Sequence, residues 1–356
     1  MADGARDALP NGRVVLLPLS DGGEGLVQVL GSTLDASLMS AKVQGPLPGQ
    51  RVDAVWALTP DRKTAVIEMA SAAGLPLVPA AKRDPGLTTT RGVGELILAA
   101  LDEGVSRIIL GLGGSATNDG GAGMASALGY RFLDAGGSPL PDGGSALSHL
   151  DRIDTSGRDP RIDRTVFVAA CDVTNPLTGP EGAAMVYGAQ KGGTGNSLGA
   201  LDKAMAHLAL VAKHECGVDV MNIPGAGAAG GMGGGVIAFL HGTLSKGIEV
   251  VLDALHFDDR LQETDLVLTG EGRLDDQTRR GKVIVGVLSR TSPRGIPVIA
   301  IAGTSSFEGR NQNVFPGLTE IVTLVRKGIS VERAMKEASI LLRERAREVL
   351  RMHLCS

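Results

Sequence analysis

The chain has 356 residues, 43% of them hydrophobic and 21% charged, with a formal net charge of −4. That length suits two ordinary domains or one large α/β unit, and the slightly acidic balance offers no basic footprint for nucleic acid. Aromatics at 3% also argue against stacking platforms for bases. The N-terminal stretch MADGARDALPNGRVV lacks the apolar core of a signal peptide, and no apolar run approaches the roughly 18 residues of a membrane span. Cys171, Cys216 and Cys355 are far apart and odd in number, which predicts reduced thiols in a cytoplasmic protein. Glycine is the outlier. Its 51 positions amount to roughly twice the usual share, and they cluster at a few turns, where backbone can approach a ligand closely.

In chain order, Val14–Leu19 (VVLLPL) reads as a buried parallel strand. Arg51–Leu58 and Thr64–Met69, separated by a Thr-Pro-Asp-Arg-Lys turn, predict an antiparallel hairpin. Glu95–Leu101 predicts a helix and Arg107–Leu110 a strand, followed by the glycine-rich turn GLGGSATNDGG. From Tyr130 to Phe257 the texture changes to strands, long loops and a second glycine run. Strand–helix alternation resumes with Asp265–Thr269, a helix through Val283–Ser289, Ile296–Ala302 and Glu320–Val325. Val331–Leu350 places Val331, Ala334, Met335, Ala338, Leu341 and Leu342 on one helical face. The alternation predicts an α/β protein: a Rossmann-like parallel sheet domain with a second α/β domain inserted. The expected bounds are 1–40, 90–129 and 258–356 for the first domain, and 41–89 and 130–257 for the insertion. A cleft between domains is the default ligand site.

Five segments combine glycines with polar residues at expected strand ends: LSDGGEG, GLGGSATNDGGAG, CDVTNPLTGP, GAGAAGGMGGG and TGEGRLDDQTRRGK. A structural turn explains any one of them; five together point to ligand-facing backbone, with N–H groups aimed at anions. Asp21, Glu24, Asp119, Asp172, Glu271 and Asp275 lie in or beside these loops. N-capping accounts well for Asp21 and Asp119 and less well for Glu271 and Asp275. Carboxylates beside phosphate-binding backbone suit Mg²⁺, and one can take the proton of an attacking hydroxyl. The cations in these loops are Lys191, Arg273 and Lys282, the residue type phosphoryl transfer needs where charge builds up. No GxxxxGK[ST] occurs, so a Walker-type kinase is excluded. His207 and His214 share a helical spacing without forming a metal motif. A dehydrogenase reading also stands on the residues: GLGGSA, a helix, then Tyr130–Asp134 as a strand ending in an acid, about where an NAD ribose partner belongs. Against it, Asn118-Asp119 crowds negative charge near the pyrophosphate, and the other glycine loops would have no role.

Taken in this order, DGGEG, GGSATNDGGAG, ACDVTNPLTGP with GAQKG, GAGAAGGMGGG, TGEGRLDDQT with its closing GK, and AIAGT resemble the type I glycerate kinases over essentially the whole chain. The resemblance implies a kinase using ATP and Mg²⁺ to phosphorylate D-glycerate, in this family usually at the 2-hydroxyl. It also implies a Rossmann-like domain carrying an inserted α/β domain. Members begin with a strand and a loop bearing an Asp, a Ser and a Lys, whereas this chain starts within the helix that follows. A chain lacking that strand is expected to lose activity and stability, and a non-catalytic ligand-binding relative is the alternative.

Residue chemistry supplies the expected roles. Asp275 is the base, with Arg273, Lys282 and Lys191 offsetting charge. Nucleotide phosphates fall to Gly113, Gly114, Ser115, Thr117 and Asn118, and to Gly227, Gly231 and Gly233. Asp21, Gly22, Gly23, Glu24 and Asn175 are expected to bind the substrate, and Asp119, Asp172 and Glu271 the Mg²⁺. The expected partner is D-glycerate, with no nucleic acid or membrane, and a homodimer is admitted.

Overall fold

The structure is a computed structural model that describes residues 1–20, 25–276, 278, 282–307 and 314–354. The chain divides into two compact units: Met1–Asp21 with Val251–Ser356, and Gly22–Val250.

The unit Gly22–Val250 is built on a six-stranded sheet. Its strands are β1 (Ser37–Gln44), β2 (Arg51–Leu58), β3 (Thr64–Glu68), β4 (Arg107–Gly111), β7 (Val166–Ala170) and β8 (Thr243–Ser245), in the order β1-β2-β3-β4-β7-β8. Short strands β5 (Arg131–Leu133) and β6 (Arg152–Asp154) form a separate antiparallel pair. β1 to β3 run antiparallel, while β3, β4, β7 and β8 run parallel. Sequence pattern explains the change of direction. β2 alternates only in its first part, with Val55 exposed between buried Ala54 and Trp56, and is buried on both faces from Trp56 to Leu58. β3 and β4 are continuously apolar, and Ala65, Val66, Ile67, Ile108, Ile109 and Leu110 are all buried, so both faces are covered. The helix Arg91–Asp102 supplies one cover, burying Val93, Leu96, Ile97, Ala100 and Leu101 at helical spacing. Tyr130 and Phe132 each meet Phe239 edge-on at 5.5 and 5.6 Å, and the Tyr130 hydroxyl donates to the Phe239 carbonyl.

The other unit carries a three-stranded parallel sheet of β9 (Val267–Leu274), β10 (Val298–Ser305) and β11 (Leu318–Thr323), in the order β11-β10-β9. The helix Val283–Thr291 joins β9 to β10 as a crossover. Ile299, Ile301 and Val322 pack with Leu341, Ala346 and Val349 of the C-terminal helix Ala338–Leu354. That helix also receives the N-terminal helix Ala2–Ala8. A methyl group on Gly4 would sit 2.1 Å from the Arg343 carbonyl, and Arg343 grips Asp7 through two bonds of 2.6 and 3.0 Å.

The α/β class with parallel strands is as the sequence implies. The partition differs from the expected one. Residues 90–129 lie in the same unit as 41–89, because β4 is laddered between β3 and β7. The insertion is therefore one continuous excursion. Val14–Leu19 does not form a strand: among the described residues none pairs with it, and Val15 and Leu16 are exposed. The predicted helix Val331–Leu350 is broken at Glu337 into Val331–Lys336 and Ala338–Leu354. The break rotates the face, so Ala334 and Leu341 are buried while Val331 and Met335 are exposed.

Candidate active site

Ligands of open α/β sheets bind outside the carboxyl ends of parallel strands. In the unit Gly22–Val250, those ends carry Glu68 on β3, the loop after Gly111 on β4, and Cys171–Pro180 after β7. The loop after β4 is almost completely braced. Asp119 is buried, and its two oxygens accept from the Thr90 N–H (2.8 Å), the Thr90 hydroxyl (2.9 and 3.1 Å), the Gly121 N–H (3.0 Å) and the Gly123 N–H (3.2 Å). Gly121 and Gly123 stand at the start of the short helix Ala122–Ala127. The anion at this helix start is thus the protein's own carboxylate. Asp119 braces the loop through these bonds, where the sequence suggested a metal ligand. Burial pushes its carboxyl up, against the pull of these hydrogen bonds.

Lys191 is also buried, and its ammonium donates to Ser115 Oγ and the Thr117 carbonyl, both at 2.8 Å. Burial lowers its pKa to about 7, opposed by the charge of Asp119. The structure gives Lys191 the work of holding the loop, where the sequence suggested a cation facing the reaction. Three atoms in this loop stand apart. Thr117 Oγ1, Asn118 Oδ1 and Asn118 Nδ2 are buried and have no hydrogen-bond partner, in residues that are 0% exposed. Each such group costs about 1–3 kcal/mol unless something pairs with it. Gly113 and Gly114, by contrast, are exposed at the start of the loop.

The second glycine run has a different use from the expected one. Residues Ala228–Leu240 are helical, with a left-handed kink at Ala229–Gly231. A methyl group on Gly227 would lie 2.1 Å from the Pro176 carbonyl, and one on Gly233 2.2 Å from the Gly225 carbonyl. Gly231 has φ +87, and a methyl group on it would lie 2.9 Å from the Gly120 Cα. These glycines let backbone pack on backbone at Gly227, Gly231 and Gly233, where the sequence suggested contacts to nucleotide phosphates. Asn175 is spent locally: its amide donates to the Glu181 carbonyl and accepts from the Tyr187 hydroxyl, at 2.8 and 2.6 Å. Asp172 is exposed and accepts from the Gly247 N–H at 2.8 Å, the first residue of the helix Gly247–Ala254. Asp134 accepts from the Gly136 and Ser138 N–H groups in a tight turn, which removes the ribose partner on which the dehydrogenase reading depended. His207 meets the Leu150 carbonyl at 2.6 Å, and His214 is exposed.

Sequence reasoning missed Glu68. It ends β3 opposite Gly111, and its Oε1 accepts from the Gly25 and Leu26 N–H groups at 2.6 and 2.9 Å, capping the helix Leu26–Thr33. Nothing near Glu68 in the chain signals this; only tertiary packing brings it there. Asp21, Gly22, Gly23 and Glu24 lie outside the described residues.

In the other unit, the carboxyl end of β9 gathers Glu271, Arg273 and Asp275. Glu271 accepts from the Thr278 hydroxyl at 3.3 Å and the Ile284 N–H at 3.4 Å, both long contacts. The Arg273 guanidinium lies 3.3 Å from the Asp275 carboxylate, and Lys282 caps the helix Val283–Thr291. Asp275 is part-exposed and Arg273 exposed, so both can reach a solute. Among the described residues, no three His, Cys, Asp or Glu side chains form a metal cluster, and no helix is long and apolar enough to cross a membrane.

A glycerate kinase of Halalkalibacterium halodurans is 48% identical over 346 residues, 97% of this chain and 90% of the relative. A glycerate 2-kinase of Escherichia coli K12 is 49% identical over 301 residues, 85% and 79% of the two chains. The crystal structure of a Salmonella typhimurium LT2 protein assigned as glycerate kinase 2 superposes with a TM-score of 0.88 at 45% identity, covering 98% of this chain and 91% of that one. The Glycerate kinase family profile matches residues 1–354, and the chain belongs to that family.

Proposed function

We propose that the protein transfers the γ-phosphoryl group of ATP to the 2-hydroxyl of D-glycerate, giving 2-phosphoglycerate and ADP. Family membership over residues 1–354 supports a glycerate kinase, and the observation that carries the chemistry is the Arg273–Asp275 pair at the end of β9. The glycerate hydroxyl oxygen forms a bond to the γ-phosphorus while the bond from that phosphorus to the ADP oxygen breaks. The hydroxyl proton passes to the Asp275 carboxylate. Arg273, and Lys282 at the helix start, offset the charge that spreads over the transferring group.

Mg²⁺ needs only one or two carboxylates beside phosphate oxygens. Glu271, part-exposed near the carboxyl end of β9, fits that demand, with exposed Asp172 as the second candidate. When bound, the ion would offset the negative charge of the nucleotide phosphates. Gly113, Gly114 and Ser115 remain candidates for anion contact, since the first two are exposed at the mouth of the β4 loop. The reduced-thiol composition supports a cytoplasmic enzyme. ADP release in the presence of D-glycerate, Mg²⁺ and ATP tests the reaction. Coupling the product to enolase with and without a phosphoglycerate mutase locates the phosphate. Release that is independent of D-glycerate would sink the proposal, and a requirement for the mutase would move transfer to the 3-hydroxyl.

A further inference from the structure

We infer that Thr304 is a further catalytic residue, whose hydroxyl donates a hydrogen bond to an oxygen of the transferring phosphoryl group beside Arg273. The inference rests on the glycerate kinase reading above and deepens it. Every residue it uses lies in the one unit that carries β9 and β10.

Ala300–Thr304, the AIAGT motif, lies in the second half of β10. Register sets its last residue beside the Arg273–Asp275 pair. β10 runs parallel to β9, with Ala302 opposite Glu271 and Thr304 opposite Arg273. Residues two apart on a strand share a face, and so do residues paired side by side. Glu271, Arg273, Ala302 and Thr304 therefore stand on one face of the sheet. Ile299 and Ile301 occupy the other face, where they pack with Leu341, Ala346 and Val349 of the C-terminal helix. The Glu271 face is also the one that meets the start of the helix Val283–Thr291, through the Ile284 N–H. Gly303 lets the two strand ends come this close: a methyl group on it would sit 2.4 Å from the Gly272 carbonyl.

The hydroxyls at this end of the sheet are not alike. Ser305 Oγ accepts from the Phe307 N–H at 3.0 Å, Thr323 donates to the Val325 carbonyl at 2.9 Å, and Thr278 donates to Glu271 at 3.3 Å. Thr304 is part-exposed, and among the described residues its hydroxyl has no hydrogen-bond partner. Valine, of similar shape and strong strand preference, would serve the ladder as well. A neutral O–H beside a guanidinium suits an oxygen that carries negative charge and has lone pairs to spare. A phosphoryl group in transfer spreads charge over three equatorial oxygens, more than the fork of Arg273 can meet alone. A hydroxyl fixed on the neighbouring strand supplies one more donor where that charge builds up. An oxygen of D-glycerate shares part of this chemistry, and the kinetic constants separate the two.

The test measures kcat, the KM values for ATP and D-glycerate, and Tm in the wild type, Thr304→Val and Thr304→Ser. Thr304→Val should lower kcat by about 10²-fold, the size of loss on removing one donor to a developing oxyanion, with both KM values and Tm close to wild type. Thr304→Ser keeps the donor and should recover most of the rate. Thr304→Ala removes the same donor and carries the test if Thr304→Val does not fold. A Thr304→Val enzyme with wild-type kcat would overturn the inference. So would equal losses in the Val and Ser variants, or a loss of rate that tracks a lowered Tm, since either assigns Thr304 to packing. A loss confined to the KM for D-glycerate would overturn it too, by giving the hydroxyl to the acid. A wild type that releases no ADP in response to D-glycerate would instead remove the kinase reading and this inference with it.

Discussion

Two glycine-rich loops of this chain look alike as sequence and behave as opposites in the structure. The β4 loop, Gly111–Gly121, buries its acid and spends that acid on its own backbone. The β9 loop leaves Asp275 part-exposed beside the exposed Arg273, and Glu271 part-exposed as well. A carboxylate that is saturated by fixed donors has stopped being a reagent and become part of the frame. One that stays part-exposed at a strand end keeps its chemistry available. Acid beside glycine therefore does not distinguish a ligand site from a strut; the burial of the acid does.

The contrast predicts opposite phenotypes for the two acids. Asp275→Asn should lower kcat by about 10²–10⁴-fold, the range for loss of a general base, with a thermal midpoint close to wild type. Initial rates of ADP release and a melting curve on one preparation decide this. Near-normal turnover would remove Asp275 from the base position and erase the distinction between the loops. Asp119→Ala should do the reverse. It strips acceptors from three backbone N–H groups and the Thr90 hydroxyl, and should cost about 3–5 kcal/mol in denaturant unfolding. An Asp119→Ala chain that is fully stable but inactive would make Asp119 a reagent after all.

These residues also show what could be read without the structure. The order of the five motifs was enough for the family, and continuous apolar runs such as Arg107–Leu110 and Ile296–Ala302 were enough for strands buried in parallel sheets. Val14–Leu19 has the same pattern and no ladder partner among the described residues, because periodicity reports a preference and pairing decides the outcome. The use of each polar residue was less legible. Asp119 is a strut because Thr90, 29 positions away, faces it. Gly230 is required because the Thr117 carbonyl would meet its methyl substituent at 1.9 Å. Glu68 lies in no motif, and only tertiary packing brings it to the start of the helix Leu26–Thr33, about 40 positions earlier in the chain. Such partnerships join residues far apart in the chain, and a single sequence carries no local mark of them.

The buried Lys191 sharpens the comparison through pH. Its folded pKa of about 7 lies below the ordinary lysine value of 10.5, so between those values the unfolded chain binds more protons than the folded one. Stability should therefore rise as pH increases from about 7 toward 10, all else being equal, and the cost of burying the charge is fully present below about 7. Lys191→Met removes that slope, whereas Lys282→Met in the other unit should leave it intact. Unfolding midpoints at pH 7 and 9 for the three proteins give the answer. Identical pH dependence in the wild type and Lys191→Met would mean that Lys191 titrates as an ordinary lysine and does not share the dry interior of the β4 loop.

The smallest expected effect belongs to Glu68. Glu68→Gln keeps an acceptor of the same shape for the Gly25 and Leu26 N–H groups and loses only the charge. That charge faces the positive end of the helix Leu26–Thr33, an interaction worth about 0.3–1 kcal/mol near a surface. Glu68→Ala loses the acceptor as well and should cost about 1 kcal/mol, in the range for an N-cap. The two variants separate charge from hydrogen bond: equal losses would assign the whole effect to charge, and a wild-type Gln variant beside a weakened Ala variant would assign it to the bond. If both unfold like wild type while KM for D-glycerate rises, Glu68 belongs with the acids that keep their chemistry, and the open class extends to the carboxyl end of β3.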